Sequence, residues 1–196
     1  MKHITILLFL LFVAQAGAQT EDSTPSDSGA RCTGGNALRA GMELDALPYL
    51  TGGYSFAGWL GKGTVRLRAV YARFHSPSFI TPEGFDELAT DAGVLLLDYF
   101  PAAENGEFDR WWLGGGLEYW RNSVRHVQSH TEASYDNVIV TIGGGHVWKV
   151  WRGLYVNPWA AVHFAVTGRD EQRIGGAAYT PKSFFYEASF KIGWCL

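Results

Sequence analysis

His75 stands beside Ser76 and close to Ser78, Ser129 stands beside His130, and His163 stands alone in a later apolar stretch. A hydroxyl becomes a nucleophile when a histidine takes its proton and a carboxylate orients that histidine. Glu83, Asp86, Glu87 and Glu132 are the nearby carboxylates. Adjacent residues on a strand point to opposite faces, so His75–Ser76 is a poor dyad, and the residue sharing the face of His75 is Pro77. His126, His130 and Glu132 are the nearest thing to a metal set, but they lie on or beside one polar stretch and include no cysteine. The three glycines 143–145 are not a phosphate loop, because the pattern around them is a strand and no helix follows. The residues name no catalytic motif, no metal and no cofactor.

Strands are the elements that position these side chains. From Ala37 onward, apolar and polar residues alternate with period two. Leu38, Ala40, Met42 and Leu44 alternate with Arg39, Gly41, Glu43 and Asp45. The pattern returns at residues 64–71, 94–99, 110–119, 154–164 and 184–194, with Trp112 out of step. A short segment at 54–61 and a long one at 137–151 bring the expected strands to eight, the long one able to bend at its glycines.

The 196 residues suit one domain. A net charge of −3 gives no general attraction to nucleic acid. Composition sets 24 Gly, 8 Trp, 9 Tyr and 12 Phe beside 18% charged residues, which favours an all-β protein whose surface is not simply wet. Residues 1–18 read as a signal peptide: Lys2 opens it, 6–14 is apolar, and Ala16-Gly17-Ala18 supplies the small residues for cleavage. Residues 19–36 are polar, without period, and read as a disordered leader. Residues 37–196 form the barrel. No later segment has the roughly 18 consecutive apolar residues of a membrane helix, so the mature chain is soluble or spans as a barrel.

The joins separate two ends. Short ones fall at 61–63 and 152–153, a somewhat longer one at 101–109, and longer polar ones at 75–90, 127–136 and 169–182; the first join, 48–53, is short. Short turns at one end and long loops at the other are the asymmetry of an outer-membrane barrel. Trp59, Tyr99, Trp111, Trp148, Trp151 and Trp194 fall near the short-turn end, where an aromatic belt belongs, while Trp159 sits near a strand centre. The polar set, Arg39, Arg66, Arg68, Lys149 and Lys191 against Glu43, Asp45, Asp98, Glu118 and Glu187, balances in sign and suits an ion-paired interior. Eight strands leave room for side chains and little else, so the interior is expected to be plugged.

Alternation does not say which face is out. In a soluble lipocalin-like barrel, Leu154, Phe164, Phe184, Phe190 and Trp194 would instead line a cavity for an apolar ligand. Cys32 precedes the first strand and Cys195 closes the last, and a closed barrel makes those strands neighbours. Their disulfide, expected on this basis, would contribute roughly 4–5 kcal/mol in the entropic model.

With the strands in place, residues 37–196 resemble the small eight-stranded outer-membrane barrels of the OmpA/OmpX type. The terminal stretch 184–196 looks like their last strand, although it ends in Leu196, with Trp194 two residues before. The segments WLGGGLEYW (112–120) and NPWA (157–160) look like parts of an uncharacterised subfamily. The resemblance implies a closed antiparallel transmembrane barrel in a Gram-negative outer membrane, with lipid and lipopolysaccharide as partners. Some such barrels are lipid A-modifying enzymes using Ser and His, and that reading stays open beside a structural or surface-interaction role. The loop 76–91 mixes Phe79, Ile80, Phe85 and Leu88 with Glu83, Asp86, Glu87 and Asp91, and is the candidate surface for an extracellular or periplasmic protein partner.

Overall fold

Period-two alternation closes here into a single sheet. A computed structural model describes residues 37–75, 82–103 and 107–196. In chain order the elements are β1 (Arg39–Asp45), α1 (Ala46–Leu50), β2 (Tyr54–Lys62), β3 (Val65–His75), β4 (Phe85–Tyr99), β5 (Arg110–His126), β6 (Glu132–Trp151), β7 (Leu154–Ala165), β8 (Gln172–Ile174), β9 (Ala177–Tyr179) and β10 (Phe184–Cys195). β1 to β7 and β10 form a closed antiparallel barrel in the order β1-β10-β7-β6-β5-β4-β3-β2, and β8 and β9 form a separate hairpin. The signal peptide, the leader and Cys32 lie outside the described residues.

The register sets the tilt. From Phe185 of β10 the partners run His163, Thr141, Gly116, Leu96, Arg68, Trp59 and Gly41, and return to β10 at Cys195. That offset of ten residues inclines the strands, by about 35–45° in barrels of this kind. Alternation along the tilted strands then sorts the side chains. Met42, Leu60, Leu67, Leu95, Leu113, Leu117, Ile142 and Ile192 are exposed on the outside, while Glu43, Arg66, Arg68, Asp98, Glu118 and Lys191 are buried within. Phe164, Phe184 and Trp194, which an apolar ligand cavity would turn inward, are exposed.

Three strands run further than alternation suggests. β4 starts at Phe85, β5 continues to His126, and β6 starts at Glu132, so much of the expected loops 75–90 and 127–136 is paired strand. Polar residues occupy both faces there, which erases the hydrophobic alternation while the backbone ladder persists. The loop asymmetry changes accordingly. The β5–β6 turn at the far end is shorter than the β4–β5 join at the end where β1 begins and β10 finishes. The β2–β3 and β6–β7 turns stay short, so the difference in loop length persists beside the strand overhang. The glycines 143–145 do not interrupt β6, and all three stay paired with β5.

Candidate functional site

The barrel interior is built in layers. At the end where β1 begins and β10 finishes, Trp59, Phe100, Phe108, Trp112, Val147, Tyr155 and Cys195 pack into a buried plug. Glycines make the room: a Cβ on Gly41 would lie 2.3 Å from the Trp59 ring, and one on Gly193 would lie 2.1 Å from the Tyr155 ring.

Above the plug lies a cyclic ion network. Residues i and i+2 share a face, so Arg66 and Arg68 of β3 both point inward. Arg66 donates to Asp98 Oδ2 (2.9 Å) and Glu43 Oε1 (3.0 Å); Arg68 donates to Glu43 Oε2 (3.0 Å) and Asp98 Oδ1 (2.9 Å). All four residues are shut from solvent. Isolated charges in such a place carry a desolvation penalty of several kcal/mol each, which the closed cycle of opposite signs offsets. Tyr155 donates to Glu43 Oε1 (2.9 Å) and accepts from Trp59 Nε1 (2.8 Å), and the Trp59, Phe100 and Trp112 rings flank the guanidinium groups. Trp112 also donates to Asn157 Oδ1 at 2.9 Å.

Further along, Lys191 faces Asp45 at 3.4 Å and lies 3.3 Å from the Trp159 ring centre; Trp159 donates to Asp45 Oδ2 at 2.8 Å. Next comes His163, with Nδ1 at 2.8 Å from Thr141 Oγ1 and 3.2 Å from Glu118, and Nε2 at 3.5 Å from Glu187. Thr141 also bonds Glu118. Asn122 then links Thr90 (2.8 Å) and Asn137 (2.6 Å). The hairpin β8–β9 caps this side by placing Ile174 and Tyr179 against Phe85 and Val124. Tyr135 and Tyr179 share a 3.0 Å hydroxyl contact, and burial pushes the Tyr135 phenol well above its ordinary pKa.

Most charges that the sequence assigns to the interior fall in these layers. Lys149 does not: it is exposed at the end of β6, paired with Asp109 at 3.1 Å and with Glu107. It has inward parity and pairs with Tyr155 of β7, but β5 ends before it, at Arg110 opposite Val147. Arg39 is half-buried at the start of β1. Tyr99, Trp111, Trp151 and Trp194 are exposed outward, and Trp148 is half-buried beside His146. Trp59 leaves the expected belt, because on β2 it shares the inward face of Ser55 and Ala57. Trp159, which fits no belt, also points inward.

The nucleophile candidates scatter. His75 and Glu83 are exposed, Ser76 and Ser78 lie outside the described residues, and the side chains of Asp86, Glu87 and Leu88 are likewise undescribed. Ser129 meets His126 at 2.9 Å, not its neighbour His130, and Glu132 pairs with Arg125. Among the described residues no group of His, Cys, Asp and Glu converges on a metal position. The Thr141–His163–Glu118 group has the composition of a catalytic relay, yet Thr141 is 3% and His163 1% exposed. A nucleophile so enclosed serves as a structural tie. Inward parity of His163, Glu118 and Glu187 was the sequence signal for this layer; Thr141, Asn122 and Asn137 gave none.

A closed eight-stranded antiparallel barrel with a charged, filled interior and an apolar outer wall is the class this geometry defines. No family model matches the chain, and no curated protein matches it. Among solved structures it is similar to the N-terminal β-barrel domain of Pseudomonas aeruginosa OprF, with a TM-score of 0.50 and 11% identity, covering 84% of this chain and 100% of that one. The likeness is one of fold.

Proposed function

We propose that the protein is a small outer-membrane barrel with a plugged interior, acting as a structural element or a surface for interaction. The observation that carries this reading is the outer wall. On β5 the outward residues run apolar from Trp111 to Tyr119, bounded by exposed Arg110 below and exposed Arg121 above. That run matches the ~9–11 residues of a spanning strand. Exposed pairs Arg73–Asp91 and Arg121–Asp136 sit just beyond the Tyr71 and Tyr119 rings, where lipid headgroups and lipopolysaccharide would lie. A water-facing wall of this composition would aggregate. The overhang of β4 to β6 with its hairpin cap then forms the surface for an extracellular partner.

The Cys32–Cys195 disulfide belongs to the same proposal. Its support is the direct pairing of β1 with β10, which sets Gly41 opposite Cys195. A cleaved signal peptide and export follow from the same placement. Cell fractionation with electrophoresis of unheated and boiled samples tests it. An outer-membrane band that shifts on boiling is the expected result; a soluble periplasmic protein without a shift overturns it.

A further inference from the structure

The barrel wall is one strand short over part of its height. β10 pairs with β1 only across 191–195, so among the described residues its stretch 184–190 has β7 on one side and no strand on the other, where α1 packs against β10, β2 and β3 in place of a ladder. β2 likewise meets β1 across 57–61, leaving 54–56 paired with β3. The sequence enforces the gap. Asp45 ends β1 by accepting from Leu47 N (3.1 Å) as the cap of α1, Pro48 has no N–H to extend a ladder, and Gly52 turns the chain back at φ 79°. The rim is therefore low over β1 and β2 and high over β4 to β6.

Inward side chains at this low rim are half-open. Phe74, Trp120 and Phe185 stand in a row of ring contacts, 5.4 Å and 5.1 Å between centroids, and Phe185 stacks flat on His163 at 4.6 Å. The Glu187 side chain is 25% exposed, against 2% for His163 behind it. His163 Nε2 is buried and faces Glu187 Oε2 across 3.5 Å, a long ion pair. Glu118 is satisfied by Trp120 and Thr141, whereas Glu187 is held more loosely, by His163 at 3.5 Å and by the charge of Lys191 on the same face of β10. The carboxylates Asp45, Glu118 and Glu187 outnumber Lys191 and His163, even with the imidazole charged.

Aromatic faces, a half-open carboxylate and an excess of negative charge together select a cation. A saccharide would use the rings but gain nothing from the charge, and an anion would be repelled. We propose that this notch binds the primary ammonium group of an amphiphile, placed against the half-open side of the Glu187 carboxylate that faces away from His163, with its first methylenes against Phe185, Trp120 and Phe74. An ammonium supplies donors for the carboxylate and a charge for the rings. Its tail leaves through the low rim, beside the exposed Phe184 and Tyr186. The site depends on the barrel and not on where the barrel resides.

The test is calorimetric titration of the full mature chain, folded in neutral polyoxyethylene micelles, with hexylammonium, hexyl sulfate and octyl glucoside. Saturable one-to-one binding of hexylammonium is expected, weakened at least tenfold in Glu187→Gln and in Trp120→Leu, with no saturable binding of the other two. The boiling-dependent gel shift confirms that each variant is folded, and Trp120→Leu carries the test if Glu187→Gln does not fold. Absence of saturable hexylammonium binding, equal binding by a folded variant, or equal binding of hexyl sulfate or octyl glucoside overturns the proposal.

Discussion

Replacing Glu43 by glutamine keeps the shape of the ion cycle and removes one charge from it. Wild-type Glu43 accepts from Arg66 and Arg68 at 3.0 Å each and from Tyr155 at 2.9 Å. In the variant both guanidinium groups remain buried with Asp98 as the single carboxylate between them, and one positive charge is left without a counter-charge. Removing one partner of a buried pair typically destabilises by about 3–5 kcal/mol. At about 1.4 kcal/mol per factor of ten, the folding equilibrium should fall by roughly two to three and a half powers of ten. Urea titration of the folded protein in lipid vesicles, followed by Trp fluorescence and by the boiling-dependent gel shift, measures this directly. A companion variant that replaces Glu43, Arg66, Arg68 and Asp98 together by apolar residues of similar volume should come much closer to wild type. The desolvation penalty disappears there with the charges. A Glu43→Gln variant within about 1 kcal/mol of wild type would refute the reasoning, because it would mean that water reaches the cycle and screens it.

Gly193→Ala should lower the yield of folded protein, since the new Cβ would lie 2.1 Å from the Tyr155 ring; overpacking of this kind typically destabilises by about 1–3 kcal/mol, measurable as a lower urea midpoint. Leu117→Arg places a charge on the outer wall and should destabilise the protein in vesicles by about 2–4 kcal/mol if the site is near the bilayer midplane. The same substitution should matter little in a soluble barrel, so the vesicle measurement discriminates. Ile174→Ala opens the contact of the β8–β9 hairpin with Phe85 and Val124. Limited proteolysis should then cut between Gly168 and Lys182 while the boiling-dependent shift persists.

Strand identity was legible wherever one face is apolar and the other polar, as along β3, where Leu67 and Ala69 face out and Arg66 and Arg68 face in. It failed where both faces are polar. Arg121 and Asn122 fall beyond the alternating stretch 110–119 and Asp136 reads as loop, yet all three are paired ladder residues of β5 and β6. Periodicity detects a difference between faces, and an overhang bathed in water on one side and polar within has none. The interior charges were legible as a set for the same reason, but their partners were not. Which carboxylate meets which guanidinium depends on the register around the barrel, and that register is fixed by pairings between strands far apart in sequence. Trp59 shows the complementary limit: its position near a strand end suggested a belt, while its parity on β2 turned it inward.

The break in the wall follows from residues that period-two reading passes over. Residues 46–50 are mostly apolar and would continue β1 by composition alone. Asp45, Pro48 and Gly52 redirect them into a short helix instead. Had β1 continued to the height of β10, its inward residues would have covered Ser189, Glu187 and Phe185 as those on β6 cover His163. A barrel stabilised only by closure has no need to end one strand early beside a half-open carboxylate. Lengthening β1 and β2 together, by inserting a strand segment on each side of 46–53 so that the ladder reaches 184–190, should therefore raise stability while closing the notch. Gains of this kind paired with lost binding are what a strained functional feature produces. If the lengthened barrel were neither more stable nor less able to bind hexylammonium, the gap would be a mere irregularity of the sheet.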